Sequence, residues 1–486
     1  MNIKQKAASG VAWSAIENWG NQAIYFILFL VLARLLQPEV FGLVSLAGVF
    51  ISFMMVFADQ GISDALIQRQ ELEAEHLDTA FWTNLGVSIL LTIFGIAAAE
   101  TVSNFFHQPQ LTPIVRWLSL SFLSNGLSSV QQALLRRQFA FRALAVRSLL
   151  GISIGGIVGV SMAYMGYGVW SLVGQQLVGR LVTVFALWWV SDWRPGLKVS
   201  AVHFRELFSF GSKMLGSSIL SFFSIRSDDF LIGYFLGPVA LGYYTVAYRL
   251  LVAITQMLSA TTRQVAFPIF SRLQKETEQL QQAFFQATQL VSLIAFPISL
   301  GLVALAPEVV RFLFGSQWMQ SVPVMQILAL SGITSTISNL SGVVLVAMGK
   351  PSWSLNIVLL NTVANVFGFV VAVQWGIVAV AASFVIRDYL LLPIFIWVLS
   401  KLIHIKPATY LHQFTVPLAG SLVMLIFVLG AKQFLSDLML QALLATCVTL
   451  GAIAYVTTLL FIAPKLFWQL VNFASLTLGI SKFKKT

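Results

Sequence analysis

The sequence has 486 residues, of which 58% are hydrophobic and only 10% are Asp, Glu, Lys or Arg. Soluble domains average about 45–50% apolar and about 25% charged residues, so this composition excludes an ordinary soluble enzyme or binding domain. The formal net charge is +11 at pH 7. A single cysteine, Cys447, excludes an intramolecular disulfide framework.

Apolar segments long enough to cross a bilayer follow one another along the whole chain. Fourteen spans are predicted, at 14–34, 41–66, 81–99, 114–135, 144–164, 168–190, 212–236, 239–262, 284–305, 321–348, 354–373, 376–399, 414–434 and 438–462. The predicted fold class is therefore an all-α polytopic membrane protein with about 14 transmembrane helices. Three of these segments are long or contain polar residues, so the count can differ by one or two.

Basic residues are distributed unevenly between the two sides of these spans. With the N-terminus inside, 21 of the 29 Lys and Arg fall in inner segments and four in outer segments. This bias predicts that both termini are cytoplasmic. The positive net charge then reflects topology and gives no reason to expect a nucleic-acid partner.

An internal repeat links the two halves of the chain. The turn LLQPEVFGLVSLA (35–47) matches FLGPVALGYYTVA (235–247) at an offset of 200. The identical pairs are Leu36 and Leu236, Pro38 and Pro238, Gly42 and Gly242, and Ala47 and Ala247. Two further pairs follow, PIVRWLSLS (113–121) with PVMQILALS (323–331), and GVWSLV (168–173) with GIVAVA (376–381).

This repeat predicts two six-helix lobes that run in the same direction. Residues 1–199 form the predicted N-lobe with spans 1–6, and 200–405 the C-lobe with spans 7–12. The remainder, 406–486, holds spans 13 and 14 and a cytoplasmic tail. Transporters with two such lobes carry substrate between them by alternating access.

Several motifs together resemble a known family. They are the paired turn LxPxxxGxxxxA, FADQGISDALIQR after span 2, GYGVWSLV opening span 6, and the run DDFLIG–FLG–LGYY–AYRL around spans 7 and 8. Over nearly the whole chain, the sequence resembles the polysaccharide-transporter branch of the multidrug/oligosaccharidyl-lipid/polysaccharide flippase superfamily, in particular O-antigen and exopolysaccharide repeat-unit flippases of the colanic-acid-exporter type.

The resemblance implies a V-shaped, two-lobe fold with a hydrophilic central cavity. It also implies that an undecaprenyl-diphosphate-linked oligosaccharide moves from the cytoplasmic to the periplasmic leaflet, for lipopolysaccharide O-antigen or exopolysaccharide synthesis. The expected partners are this substrate and membrane lipids, with the polysaccharide polymerase and export machinery as further expected partners.

Arginines inside the spans are the predicted ligands of the diphosphate. A planar guanidinium binds phosphate oxygens in a bidentate manner, and intramembrane charges mark functional sites by default. The candidates are Arg226, Arg249 and Arg180. Asp229 shares a helix face with Arg226 while Asp228 points away, so a structural Arg–Asp pair remains the alternative.

A polar stripe on span 1 is the predicted sugar-binding wall. Asn18, Asn21, Gln22 and Tyr25 follow the spacing i, i+3, i+4, i+7. Such a stripe must face protein or water. Hydrogen bonding between helices is the alternative interpretation.

Charged groups near or within the spans are the candidates for coupling to H+ or Na+ or for gating. The acidic candidates are Asp228, Asp229, Asp59, Asp64 and Glu17, and the adjacent pair Arg387 and Asp388 adds a cation and an acid. Because adjacent helical residues do not face each other, each member of that pair is expected to find a separate partner. No cofactor is expected. The five histidines lie on different predicted loops without ligand spacing, so no metal site is expected.

Other functions remain open at this stage. A peptidoglycan-precursor flippase or a cation-coupled drug exporter would share the fold. A membrane polysaccharide polymerase or ligase is disfavoured, because such an enzyme needs a sizeable outer loop with catalytic groups, and no predicted outer loop exceeds about 16 residues. We therefore expect a transporter and not an enzyme.

Overall fold

The computed structural model describes residues 3–58, 61–69 and 72–468, and over these ranges the regular secondary structure is entirely helical. The helices of the first half are α1 (Ile3–Leu35), α2 (Pro38–Ala58), α3 (Ile62–Gln68), α4 (Ala74–Phe105), α5 (Leu111–Ser119), α6 (Ser121–Arg137), α7 (Phe141–Tyr164), α8 (Val169–Val190) and α9 (Ala201–Arg272). Those of the second half are α10 (Thr277–Leu313), α11 (Val322–Ala329), α12 (Ser331–Ala347), α13 (Pro351–Ala372), α14 (Ile377–Ile403), α15 (Pro407–His412), α16 (Thr415–Phe434) and α17 (Leu440–Ile462).

The described residues contain many helices that are long and apolar enough to cross a membrane. Eleven meet this test, or twelve if the bent pair Ser316–Ala329 and Ser331–Ala347 forms one span. The polytopic all-α fold class is confirmed. The predicted span 114–135 corresponds to α5 and α6, which do not meet the test, so the count of fourteen stays a prediction.

Helix α9 is a hairpin of two helical parts joined at Gly237. This glycine has a left-handed φ of 81° and interrupts an otherwise helical backbone. Tyr244 donates a hydrogen bond to Asp228 at 2.9 Å, although 16 residues of straight helix would separate them by about 24 Å. The chain therefore reverses at Gly237, which separates the predicted spans 212–236 and 239–262.

The turn before α2 and the turn within α9 pack against each other through equivalent residues. A Cβ added at Gly42 would lie 1.7 Å from the carbonyl oxygen of Pro238, and one at Gly242 would lie 2.0 Å from that of Pro38. The hydroxyls of Ser45 and Thr245, also 200 residues apart, are 3.2 Å apart. Such reciprocal contacts are those expected around a local two-fold axis. The residues that repeat in the sequence therefore occupy equivalent positions in these two turns.

The other repeated motifs also have the same local structure in both copies. Helix α5 breaks at Leu120 and α11 breaks at Leu330, with nearly equal backbone angles, and the next helix resumes in each case at a buried serine. Helices α8 and α14 each begin after a glycine with positive φ, Gly168 and Gly376. The repeated motifs thus have equivalent local backbones, while the parallel direction of the two six-helix copies stays a prediction.

The chain divides into two compact units, Met1–Thr245 and Val246–Thr486. The predicted lobe boundary at 199/200 concerns the repeat and stays a prediction. In the second unit, α16 and α17 pack on α10 through an apolar cluster that includes Leu293, Met424 and Cys447. Lys432 on α16 and Glu308 on α10 add an ion pair of 2.8 Å, so the two C-terminal helices are anchored to the second unit by packing and charge.

Candidate functional site

The most conspicuous charged group in the first unit lies in the first part of α9. Arg226 Nη1 donates to Asp229 Oδ2 at 2.8 Å, because residues three apart share a helix face. The Asp229 side chain is 12% exposed, while that of Arg226 is 38% exposed. A guanidinium carries five N–H donors, so Arg226 presents an exposed cation with donors beyond this one contact.

Asp228 has a different environment from its neighbour. Its side chain is buried and accepts hydrogen bonds from the Tyr244 hydroxyl and from the backbone N–H of Asp229, both at 2.9 Å. The sequence correctly placed Asp228 on a different face from Arg226. Through Tyr244, Asp228 connects the two parts of the α9 hairpin, so this side chain has a structural role.

Replacing Tyr244 with phenylalanine is expected to destabilise the protein by about 1–3 kcal/mol, because the buried carboxyl of Asp228 loses a hydrogen-bond partner. Thermal unfolding of the detergent-purified protein measures the effect. Tyr164→Phe is the matched control, since Tyr164 is 73% exposed. Equal melting temperatures for the two variants would contradict the assigned role of this bond.

The polar stripe of α1 has one member in a helix–helix contact. Asn21 Nδ2 donates to Ser148 Oγ on α7 at 2.7 Å, which is the interhelical bonding that sequence left open. Asn18, Gln22 and Tyr25 are exposed. These three side chains are thus accessible, while Asn21 contributes to the packing of α1 against α7.

Arg147 on α7 was missed as a site candidate, because the sequence assigned it to an inner segment. It is only 9% exposed, and Glu17 on α1 interacts with it electrostatically. The side-chain amide of Gln132 finds hydrogen-bond partners when its oxygen faces the two guanidinium groups. In that orientation the oxygen accepts hydrogen bonds from Arg136 at 2.9 Å and from Arg147 at 3.1 Å. Its place within the predicted span 144–164 was the signal that could have identified Arg147 as an intramembrane cation.

Arg180 lies on α8, which packs closely on α7 through glycines. A Cβ at Gly155 would lie 2.5 Å from the carbonyl oxygen of Gln175, and small residues permit such close helix contact in membranes. Arg180 is half-buried and makes no hydrogen bond or ion pair with the part of the chain that the structure describes. It therefore remains a candidate cation for an anionic ligand.

In the second unit, Arg387 and Asp388 on α14 form an ion pair of 3.0 Å. The expectation that these adjacent residues do not face each other is wrong at this position, because the long arginine side chain reaches around the helix to its neighbour. Each also has a separate partner. Arg387 donates to Asn361 Oδ1 at 2.9 Å, and Thr334 donates to Asp388 Oδ2 at 3.4 Å.

The remaining predicted site residues lie apart from these groups in the chain. Arg249 is half-buried on the second part of α9, where it has partners. Asp64 is exposed on the short helix α3. Asp59 lies outside the described residues. None of these placements tests the predicted coupling role, which stays a prediction.

Two histidines meet at the start of α4 and α9, which the sequence did not anticipate. The ring centroids of His76 and His203 are 3.8 Å apart, and Glu73 completes a group of three that could hold a metal ion. The spacing of the histidines along the chain gave no sign of this contact, and the expectation that no metal binds stays a prediction. A hydrogen bond from Arg69 to nearby Glu206 lowers the pKa of that carboxyl, so Glu206 is anionic near neutral pH.

Sequence comparison finds relatives over much of the chain. It is 32% identical to the succinoglycan biosynthesis transport protein ExoT of Rhizobium meliloti, over 66% of this chain and 65% of that relative, just under two thirds of its length. It is 27% identical to the lipopolysaccharide biosynthesis protein WzxC of Escherichia coli over 84% of this chain and 82% of WzxC. It is 26% identical to the teichuronic acid biosynthesis protein TuaB of Bacillus subtilis over 96% and 97%.

Solved structures share the fold. The lipid II flippase MurJ in an inward closed conformation superposes with a TM-score of 0.73 and 14% identity, over 94% of this chain and 99% of MurJ. An inward-facing multidrug resistance MATE transporter gives a TM-score of 0.61 and 19% identity, over 78% and 94%. The model of the family described as polysaccharide biosynthesis protein matches residues 31–323. This match, together with the relatives above, shows that the chain is a multi-pass membrane protein of the polysaccharide biosynthesis protein family.

Proposed function

We propose that this chain is a flippase for lipid-linked oligosaccharides in the bacterial inner membrane, with both termini cytoplasmic. It moves undecaprenyl-diphosphate-linked repeat units from the cytoplasmic to the periplasmic leaflet by alternating access, for the synthesis of a surface polysaccharide. Membership of the polysaccharide biosynthesis family carries this proposal. The relatives named as transport or biosynthesis proteins for succinoglycan and lipopolysaccharide support the same class of cargo.

The charged residues of the first unit suit an anionic headgroup. Desolvation makes an unpaired diphosphate in a low-dielectric region prohibitively costly. Arg226 offers exposed guanidinium donors, and Asp229 serves as its counter-ion until a phosphate takes its place. Arg180 on α8, which is half-buried, supplies a further cation for the diphosphate.

The exposed part of the α1 stripe suits the sugar. Asn18 and Gln22 present amide donors and acceptors, and Tyr25 adds an aromatic ring that is 44% exposed. Amide groups and aromatic faces are the chemistry that recognises hydroxyl-rich rings. Asn21 holds this helix against α7 through Ser148, which fixes the direction in which the stripe points.

Coupling to H+ or Na+ is part of the proposal, with the acids in the spans as the carriers. In the second unit, Asp388 already has a cation, since the Arg387 guanidinium lies 3.0 Å away. A coupling ion at Asp388 must compete with that guanidinium. We propose the polysaccharide polymerase and export machinery as partners that receive the flipped repeat unit.

Deleting the gene in its host tests the cargo. Loss of the surface polysaccharide in cells that stay viable, with recovery on re-expression, is the expected result. Lysis on deletion would instead indicate the peptidoglycan precursor, the cargo class of the MurJ fold relative. Unchanged polysaccharide would overturn the proposal.

A further inference from the structure

A cluster of histidines and carboxylates lies where the first turns of α9 contact the start of α4. We propose that His76, His203 and Glu73 form a binding site for a divalent transition-metal ion of the Zn2+ type, with Glu206 or water as the fourth ligand. The site lies outside the residues proposed to bind the glycolipid, and it does not depend on the proposed transport activity.

The distances between donor atoms suit a small tetrahedral ion. Ligand atoms about 2.0–2.1 Å from a tetrahedral zinc lie about 3.4 Å from one another. His76 Nε2 lies 3.7 Å from Glu206 Oε2, and His203 Nε2 lies 3.8 Å from Glu73 Oε2. The ligand atoms of Glu73, His76 and His203 all lie within 4.8 Å of one another, so side-chain movements of up to about 1 Å would bring them to the spacing of a tetrahedral ion.

A buried ring nitrogen without a partner points to a ligand. His76 is only 2% exposed, yet its Nε2 has no hydrogen-bond partner. Its Nδ1 accepts from the backbone N–H of Glu73 at 3.3 Å, a long bond. A metal ion bound at Nε2 requires the ring proton to be on Nδ1. The hydrogen bond from the Glu73 N–H to Nδ1 is then lost, and the bond between the metal and Nε2 compensates for it.

The backbone holds both histidines in place before any ion binds. Asp78 Oδ1 accepts from the Gly196 N–H at 2.9 Å, Thr79 Oγ1 accepts from the Ser200 N–H at 3.1 Å, and Trp82 donates to the Gly196 carbonyl at 2.7 Å. These three bonds tie residues 196–200 to the first turns of α4. His203 therefore approaches His76 without a loop having to become ordered, which favours metal binding.

The local charge and the ligand chemistry select the ion. The carboxylates of Glu73, Glu75 and Glu206 all lie within 3.9 Å of a ring nitrogen of His203, so the site offers oxygen ligands beside the imidazoles. Imidazole with carboxylate suits Zn2+ and its transition-metal neighbours, whereas Mg2+ and Ca2+ prefer oxygen ligands alone. A surface cavity of about 600 Å3 is lined by Ala201, Val202, Arg205 and Glu206, so the proposed fourth ligand Glu206 is accessible.

Metal titration of the detergent-purified, tag-free full-length protein tests this site. We expect one Zn2+ per chain, measured by competition with a fluorescent chelator, and displacement of Co2+ with a tetrahedral visible spectrum. His203→Gln and Glu73→Gln should each weaken Zn2+ binding by about 10-fold or more. The control His107→Asn should bind as the parent does, because His107 is an exposed histidine with a left-handed φ that Asn tolerates.

Each alternative result overturns the proposal in a distinct way. No Zn2+ bound by the parent above a chelator-treated blank would show that the cluster takes no metal. Equal affinity in the parent, His203→Gln and Glu73→Gln would show that the ion binds elsewhere. Glu73 and His203 are both at least partly exposed, so neither substitution should disrupt the core. Thermal unfolding without metal verifies that the two variants remain folded. Transport failure has no bearing on these readouts.

Discussion

Replacing Gly42 with alanine is expected to destabilise the folded protein by about 3 kcal/mol or more. The new Cβ would lie 1.7 Å from the carbonyl oxygen of Pro238, and neither backbone can yield without moving a helix end. Gly242→Ala should behave similarly, because its Cβ would lie 2.0 Å from the carbonyl oxygen of Pro38. The yield of monodisperse protein and its melting temperature in detergent measure the loss.

Gly48→Ala is the matched control in the same helix. Apart from the backbone of its own helix, no atom of the described residues lies within 4 Å of the added Cβ at that position, and alanine favours a helix interior over glycine by up to about 1 kcal/mol. Gly48→Ala should therefore be neutral or slightly stabilising. If Gly42→Ala were as stable as Gly48→Ala, the two turns could not pack as closely as described.

Replacing Arg226 with alanine is expected to lower transport by about 10-fold or more, since it removes a charge-assisted contact worth roughly 1.5–3 kcal/mol to an anionic headgroup. The amount of surface polysaccharide restored in the deletion strain, at equal membrane abundance of the protein, measures the effect. Arg116→Ala should restore polysaccharide fully, because Arg116 is exposed on α5 at the predicted outer side.

The double variant Arg226→Ala with Asp229→Ala separates binding from structure. If Arg226 only neutralises Asp229, removing both charges should restore activity, because no buried carboxylate is then left unpaired. If Arg226 binds the diphosphate, the double variant stays inactive while its melting temperature recovers. Full activity in either the single or the double variant would exclude Arg226 as a headgroup ligand.

Local spacing was sufficient to predict contacts within one helix or one repeated turn. The i, i+3 spacing of Arg226 and Asp229 predicted their shared face, and the ion pair follows from it. The offset of 200 between the two turns predicted an equivalence that the Ser45–Thr245 contact confirms. Adjacent residues are the exception, since the flexible arginine side chain of Arg387 reaches Asp388 against the direction of its Cβ.

Contacts between distant segments were not predictable from the sequence. Arg147 was assigned to an inner segment, because charge counting ignores whether another helix covers a residue. Asn21 and Ser148 are 127 residues apart, and no local pattern indicates that α1 lies against α7. The same holds for His76 and His203, which are 127 residues apart in the sequence yet have ring centroids only 3.8 Å apart.

The sequence by itself determined the class of protein, because apolar helix-length runs and uneven basic residues are properties of composition and local order. It also determined the two-fold repeat, since equivalent turns keep the same Pro and Gly. Only the tertiary structure decided which intramembrane charges are exposed, which are neutralised, and which histidines meet. The physical reason is that burial and ion pairing depend on the neighbouring helix, and a single sequence specifies that neighbour only through the complete fold.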